Sequence, residues 1–205
     1  MKPLLAALRL LGISSYSRKV REHIAALETS GGPVKCRVIE PPSPIGARAV
    51  MLGHGLVPMG AEDPRVRAIA KRIAFAGVRV IIPHIPNVAK LRIVAEDAAL
   101  IAELIQLVAR DSNLCPRGFL GIMSASLSAG LFLAASGKHN TAPLISASLM
   151  VGTCTEAKSL FQFLMAGSDE AVDPYGRLIA LRTLAPRVYG IRKDLDRLLY
   201  LAAMD

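Results

Sequence analysis

The sequence predicts an α/β fold, a mostly parallel sheet with flanking helices, followed by a C-terminal helical segment. Three observations carry that expectation. Short apolar runs of strand length recur through the middle of the chain. Each is followed by a helical pattern after brief Pro or Gly punctuation. The runs also lack the strict apolar–polar alternation of a half-exposed sheet, so they suit strands buried on both faces.

Taken in order, Val34–Ile39 is a short strand candidate closed by Pro41, Pro42 and Pro44. Ala47–Gly53 is a mostly apolar run that ends at His54-Gly55. Asp63-Pro64 opens a helix, with Asp63 suited to the N-cap and Pro64 to the first turn. That helix runs to about Ala76, and Gly77 suits its C-terminal cap. Val78–Ile82 is β-branched and stops at Pro83, as a buried parallel strand would. Ile93–Ala109 follows as a helix with Ile101, Leu104, Ile105 and Val108 on one face. Gly118–Met123 is the next strand, leading through small residues into a helix over Leu127–Ser136, and Leu144–Val151 is a further strand. Helices are expected at Glu156–Ala166, from Asp173-Pro174 onward, and at Ile191–Ala203. The chain thus reads as one domain with three parts: an N-terminal helical segment (1–28), an α/β core (34–152) and a lid-like helical segment (153–205).

Composition narrows the function classes. The 205 residues carry 25 Lys+Arg against 16 Asp+Glu, a formal charge of +9, and 52% are hydrophobic. A chain this apolar collapses, which excludes intrinsic disorder. The uncharged run Gly118–Gly137 approaches the ~20 residues of a membrane span, but repeated Ser and Gly make it a buried strand and helix instead. Aromatics are 4% with no Trp, too few to stack bases between the basic residues. No nucleic-acid-binding motif is present, so the positive charge reads as solvated helix faces, with an anionic surface partner as the alternative. Three well-separated cysteines, Cys36, Cys115 and Cys154, argue against a disulfide framework and against a cysteine zinc site. The four histidines, His23, His54, His84 and His139, show no metal spacing either, so no metal is expected. A reducing, cytoplasmic setting follows from the cysteines. Leu4, Leu8 and Leu11 recur at helical spacing in Met1–Gly12, and Arg9 interrupts what would otherwise resemble an export signal. This amphipathic segment either packs on its own domain or lies peripherally on the inner membrane face.

The strongest chemical signal is the junction Ser124-Ala125-Ser126-Leu127-Ser128, between the strand ending at Met123 and the apolar helix. A nucleophile elbow needs a serine on a strained strand-to-helix turn, with very small residues two positions to either side. Ser124 and Ser128 stand where glycine is usual. Ser126 would point out above the sheet, and the Leu127 amide would face a developing oxyanion. The competing reading is a small-residue junction that only lets the helix approach the sheet. Upstream, His54-Gly55-Leu56-Val57-Pro58 follows another strand end and could offer a second backbone amide. His54 itself suits a structural brace for that loop.

His54–Pro58, Asp63-Pro64-Arg65, Gly77–Pro83, Ser124–Gly130 and Asp173–Arg177 together resemble the α/β-hydrolase superfamily, in its esterase-like and dienelactone-hydrolase-like members. The resemblance covers roughly residues 34–180. It implies Ser126 as nucleophile, Leu127 and Leu56 as oxyanion amides, and cleavage of an ester through a covalent acyl-enzyme without metal or organic cofactor. It also implies an acid and a base on later strands, in the order Ser, Asp or Glu, His. No histidine follows His139, and thirteen residues of helix would carry His139 about 20 Å from Ser126. His84, in the loop after Val78–Ile82, is the substitute base. Asp169 and Asp173 suit helix caps better than a catalytic acid.

Two functions follow. The first is a serine hydrolase of esterase type with weak or no turnover, acting on a small apolar or ester-bearing molecule. The second is a non-catalytic hydrolase-like binding or scaffold protein at a membrane surface. The resemblance further implies that the sheet would continue beyond Leu144–Val151, leaving an apolar edge to be covered by the Glu156–Ala203 helices or by a second copy of the chain.

Overall fold

The structure is a computed structural model, and it describes residues 20–42, 44, 47–154, 156–165, 174–190 and 192–204. Six strands form one sheet: β1 (Arg21–Thr29), β2 (Gly32–Glu40), β3 (Ala49–Leu52), β4 (Arg79–Pro83), β5 (Leu120–Ala125) and β6 (Ile145–Val151). Their order is β1-β2-β4-β3-β5-β6. The four strands β4, β3, β5 and β6 run parallel, whereas β1, β2 and β4 pair antiparallel. The expected parallel neighbours are therefore present.

The helices are α1 (Pro64–Phe75), the short α2 (Pro86–Ala89), α3 (Glu96–Arg110), α4 (Ser126–Ser136), α5 (Ala157–Met165), α6 (Pro174–Tyr189) and α7 (Lys193–Ala202). Alternation along the strands sorts the core into two layers. Val38, Met51, Ile81 and Ile122 pack with Ile101, Leu104 and Ile105 of α3 and Phe132 of α4. Ile39, Leu52, Val80 and Ile82 pack instead with Ala70 and Ala74 of α1. Ile179 of α6 joins the first layer. Arg182, only 6% exposed, ties α6 to α7 by donating to Asp196 at 2.8 Å, and it also donates to the Lys90 carbonyl.

One expectation is corrected. The helical segment over 1–28 does not extend to its end, because Arg21–Thr29 is a strand. It pairs with β2 along its whole length through a two-residue loop, Ser30-Gly31, with Gly32 at φ +107°. Glu103 of α3 holds that loop, accepting from the Ser30 amide at 2.6 Å and the Ser30 hydroxyl at 2.8 Å. The Met1–Gly12 reading lies outside the described residues, as do Asp169 and Asp173.

Candidate active site

Ser126 stands where β5 turns into α4. Ala125 is extended at φ −136°, ψ 161°, and Ser126 itself has φ +59°. A non-glycine residue in this region costs about 1–3 kcal/mol and persists only where its surroundings over-determine it. Ser124 and Ser128 supply that determination. Both are buried, their hydroxyl oxygens lie 3.3 Å apart, and Ser128 Oγ donates to the Ala125 carbonyl at 3.0 Å. Across from Ser124 stands Gly53, where an added Cβ would come within 2.4 Å of Ser124 Oγ and 2.6 Å of the Phe132 ring. The flanking serines therefore do what small residues at this turn are needed to do. They admit the close approach and fasten it.

Ser126 is exposed and lines a cavity of about 290 Å³ together with Gly53, His54, Leu56, Asp63, Arg65 and Tyr175, among others. The wall opposite the serine is the loop after β3. The Gly53 amide donates to the Met123 carbonyl at 2.8 Å, which anchors the start of that loop to β5. His54 is 3% exposed. Its Nε2 accepts from the Ile85 amide at 3.1 Å, so the proton resides on Nδ1, which donates to the Gly55 carbonyl at 2.7 Å. Burial pushes this imidazole down to about 4, outweighing the opposing Gly55 carbonyl. His54 is a neutral brace with both nitrogens engaged.

Gly55, at φ +73°, reverses the chain and brings Leu56 into the cavity wall. From the other side, the Tyr175 hydroxyl at the start of α6 donates to the Leu56 carbonyl. The helical segment is thereby pinned over the loop. The Leu127 amide lies in the first turn of α4, where N–H groups have no acceptor within the helix and the helix dipole is positive. Leu127 thus follows Ser126 in the first turn of α4, and Leu56 lines the serine's cavity. Asp63 caps α1, accepting from the Arg65 amide at 2.9 Å and from its guanidinium at 2.8 and 3.0 Å. These bonds, led by the guanidinium, hold the Asp63 carboxyl below its ordinary range.

His84 does not join Ser126 in the cavity wall. Its ring stacks on His54 with centroids 5.9 Å apart, and its Nδ1 would lie 2.7 Å from a Cβ added at Gly60. It belongs to the packing beneath the loop rather than to the residues that line the serine's cavity. Among the described residues no three His, Cys, Asp or Glu side chains gather as a metal-holding group. No described helix is long and apolar enough to cross a membrane. Sequence reading misses the Tyr175–Leu56 bond, although Tyr175 lies inside the Asp-Pro-Tyr-Gly-Arg motif, because nothing local signals a contact 119 residues away.

No protein-family model matches the sequence, and no curated protein matches it. Solved structures do. A dienelactone hydrolase from Anabaena variabilis aligns at 16% identity and TM-score 0.52, over 66% of this chain and 65% of that one. A thermophilic carboxylesterase cloned from a metagenomic library aligns at 15% identity and TM-score 0.53, over 97% of this chain and 69% of that one. Brefeldin A esterase, a bacterial protein, aligns at 12% identity and TM-score 0.57, over all of this chain and 60% of that one. The chain thus spans only part of the length of each of these structures. At such identities the likeness is one of architecture, and the fold is α/β-hydrolase-like.

Proposed function

We propose that the chain is a serine hydrolase of esterase type, with Ser126 as nucleophile and the Leu56 and Leu127 amides as oxyanion donors. The observation that carries this reading is the φ of +59° at Ser126, a strained serine held at a strand-to-helix turn and exposed to a cavity. Backbone strain at a non-glycine residue is characteristic of sites where orientation matters more than stability.

In this reading Ser126 Oγ attacks the carbonyl carbon of an ester, and the carbonyl oxygen becomes an oxyanion that accepts from the two amides. The alcohol then leaves with a proton, and water later cleaves the acyl-serine. Proton removal from Ser126 is the weak step. His54 lines the cavity, yet both its nitrogens are engaged and burial keeps it neutral. A nucleophile without an adjacent base retains roughly 10³–10⁴-fold catalysis over water from the oxyanion hole and binding. Slow turnover by this chain alone is the expectation.

The test is labelling by a fluorophosphonate, which needs the serine and the oxyanion donors. Slow labelling at Ser126, abolished in Ser126→Ala and unchanged in His84→Ala, supports the reading. Labelling that survives Ser126→Ala overturns the assignment of the nucleophile. A fully unreactive wild type turns the reading toward the non-catalytic binding protein.

A further inference from the structure

Parallel sheets are ordinarily covered on both faces, and the α1 side of this one is covered only in part. α1 lays Ala70 and Ala74 on Ile39, Val80 and Ile82. Beyond it the same face lies open among the described residues. Phe119 stands two residues before Gly121 of β5, Leu149 and Val151 stand on β6, and Ile69 borders the opening from α1; all four are exposed. Between them the floor sinks. Gly121 and Ala147 are register partners, and with Val50 and Val78 they line a trough of about 400 Å³. Its lower end, where β3 and β5 begin, is cationic. Arg48 and Arg117 line it, and no carboxylate does. Arg72, three residues from Ile69, shares that side of α1. All three arginines are exposed.

Width, depth and charge select the occupant. From β3 across β5 to β6 is two strand spacings, about 10 Å, the diameter of one α-helix. A flat bilayer surface does not reach a floor recessed at that width. An extended segment would pair along the β6 edge rather than lie on the face. The arginines then call for carboxylates. A second copy of the chain brings a charge of +9, and residues 1–19 bring Lys2, Arg9, Arg18 and Lys19 with no acidic residue, so the field at this end repels both. An exposed apolar patch rimmed by charge is the usual mark of a protein-binding surface. We propose that this face is a docking groove for an acidic amphipathic helix of a separate protein. The apolar stripe of that helix lies on Gly121, Ala147 and Leu149, and its carboxylates meet Arg48 and Arg117. The proposal does not rest on the Ser126 reading.

The test uses the purified full chain and a fluorescent synthetic helix of about 18 residues, with leucines at helical spacing and glutamates beside them. A control peptide carries lysine at each glutamate position. In fluorescence anisotropy the glutamate peptide should bind at least about tenfold more tightly than the control, and its advantage should shrink as salt rises. Gly121→Leu fills the trough, yet its Cβ would meet Val50 Cγ2 at 3.4 Å and the Ala49 and Ala147 carbonyl oxygens at 3.8 Å, which are ordinary contacts. This variant should weaken the glutamate peptide at least about tenfold with circular dichroism unchanged. The double variant Arg48→Glu/Arg117→Glu should invert the preference between the two peptides. Absence of binding, equal affinity for both peptides, or undiminished binding to Gly121→Leu overturns the proposal. Binding to phosphatidylglycerol vesicles that is lost in the double variant but kept in Gly121→Leu would make this a lipid surface and overturn it too. A dimer at low salt that Gly121→Leu disrupts would give the groove to a second copy instead.

Discussion

At the scale of single residues, function and stability oppose each other most plainly at Ser126. Its left-handed backbone is one that glycine adopts without penalty. Ser126→Gly should therefore be more stable than Ser126→Ala, which keeps the strain, by about 1 kcal/mol. Urea denaturation of the two variants measures the difference, and equal midpoints would show that the turn is not strained. His54 makes a second, pH-dependent prediction. Burial lowers it from 6.5 unfolded to about 4 folded, so between those values the unfolded chain holds more protons. Its contribution to stability is complete above about pH 6.5 and is lost as the pH falls through about 4. The window is worth about 3 kcal/mol, since a tenfold loss of proton affinity on folding corresponds to about 1.4 kcal/mol. Protonating Nε2 also removes the acceptor of the Ile85 amide. Stability measured from pH 7 to 4 should fall less steeply in His54→Gln than in wild type. Parallel pH profiles would sink the assignment.

At the scale of elements, the site exists because three segments meet without room to spare. The loop after β3, the turn into α4 and the start of α6 touch at Gly53, Ser124 and Tyr175. Gly53→Ala would drive a Cβ to 2.4 Å from Ser124 Oγ and 2.6 Å from Phe132. Overpacking of this kind costs about 1–3 kcal/mol, and here it would also displace Ser124, which fastens the turn. The expectation is a lower melting temperature together with lost fluorophosphonate labelling; a destabilised variant that labels normally would uncouple the loop from the serine. These same elements show what is legible in the sequence. β4 is readable because a buried parallel strand is a continuous apolar run, β5 and β6 because they are strand-length, mostly apolar runs, although β6 is largely exposed, and α1 because Asp63-Pro64 is a strong start signal. The elbow is readable because its constraint is local, a serine among small residues at a strand end. β1 is not. REHIAALET has one β-branched residue before its final Thr and several helix formers, and its strand state comes from pairing with β2. The two-residue Ser30-Gly31 loop is the available hairpin signal. The bond from Tyr175 to Leu56 has no sequence signal at all.

At the scale of the whole molecule, the two edges of the sheet differ in how they meet solvent. β1 carries Arg21, Glu22, His23 and Glu28, the kind of charged edge that resists pairing with another chain. β6 is Ile-Ser-Ala-Ser-Leu-Met-Val, with no charge and no proline. Ser146 to Leu149 are exposed in sequence, and Leu149 and Val151 are 53% and 52% accessible. A parallel sheet is ordinarily covered on both faces, yet α1 packs on β2 and β4, at the other side of the sheet. Ala147, Leu149 and Val151 share a face with Gly121, Met123 and Ala125 by register. Antiparallel pairing of two β6 strands about a twofold axis would join the two apolar faces and satisfy edge backbone groups that no described strand pairs, with Ser148 near its own copy. Opposing this is the charge of +9 on each chain, which acts over a Debye length of about 8–10 Å at moderate salt and is screened beyond it. The balance predicts its own salt dependence. Raising ionic strength should shift the purified chain from monomer toward dimer in light scattering, the opposite of an association held by ion pairs. Leu149→Lys places a charge on the edge and adds to the repulsion, so it should hold the chain monomeric at concentrations where wild type associates. A wild type that stays monomeric at high salt and high concentration, with rapidly exchanging β6 amides, would show that hydration of this edge outweighs the gain from pairing it.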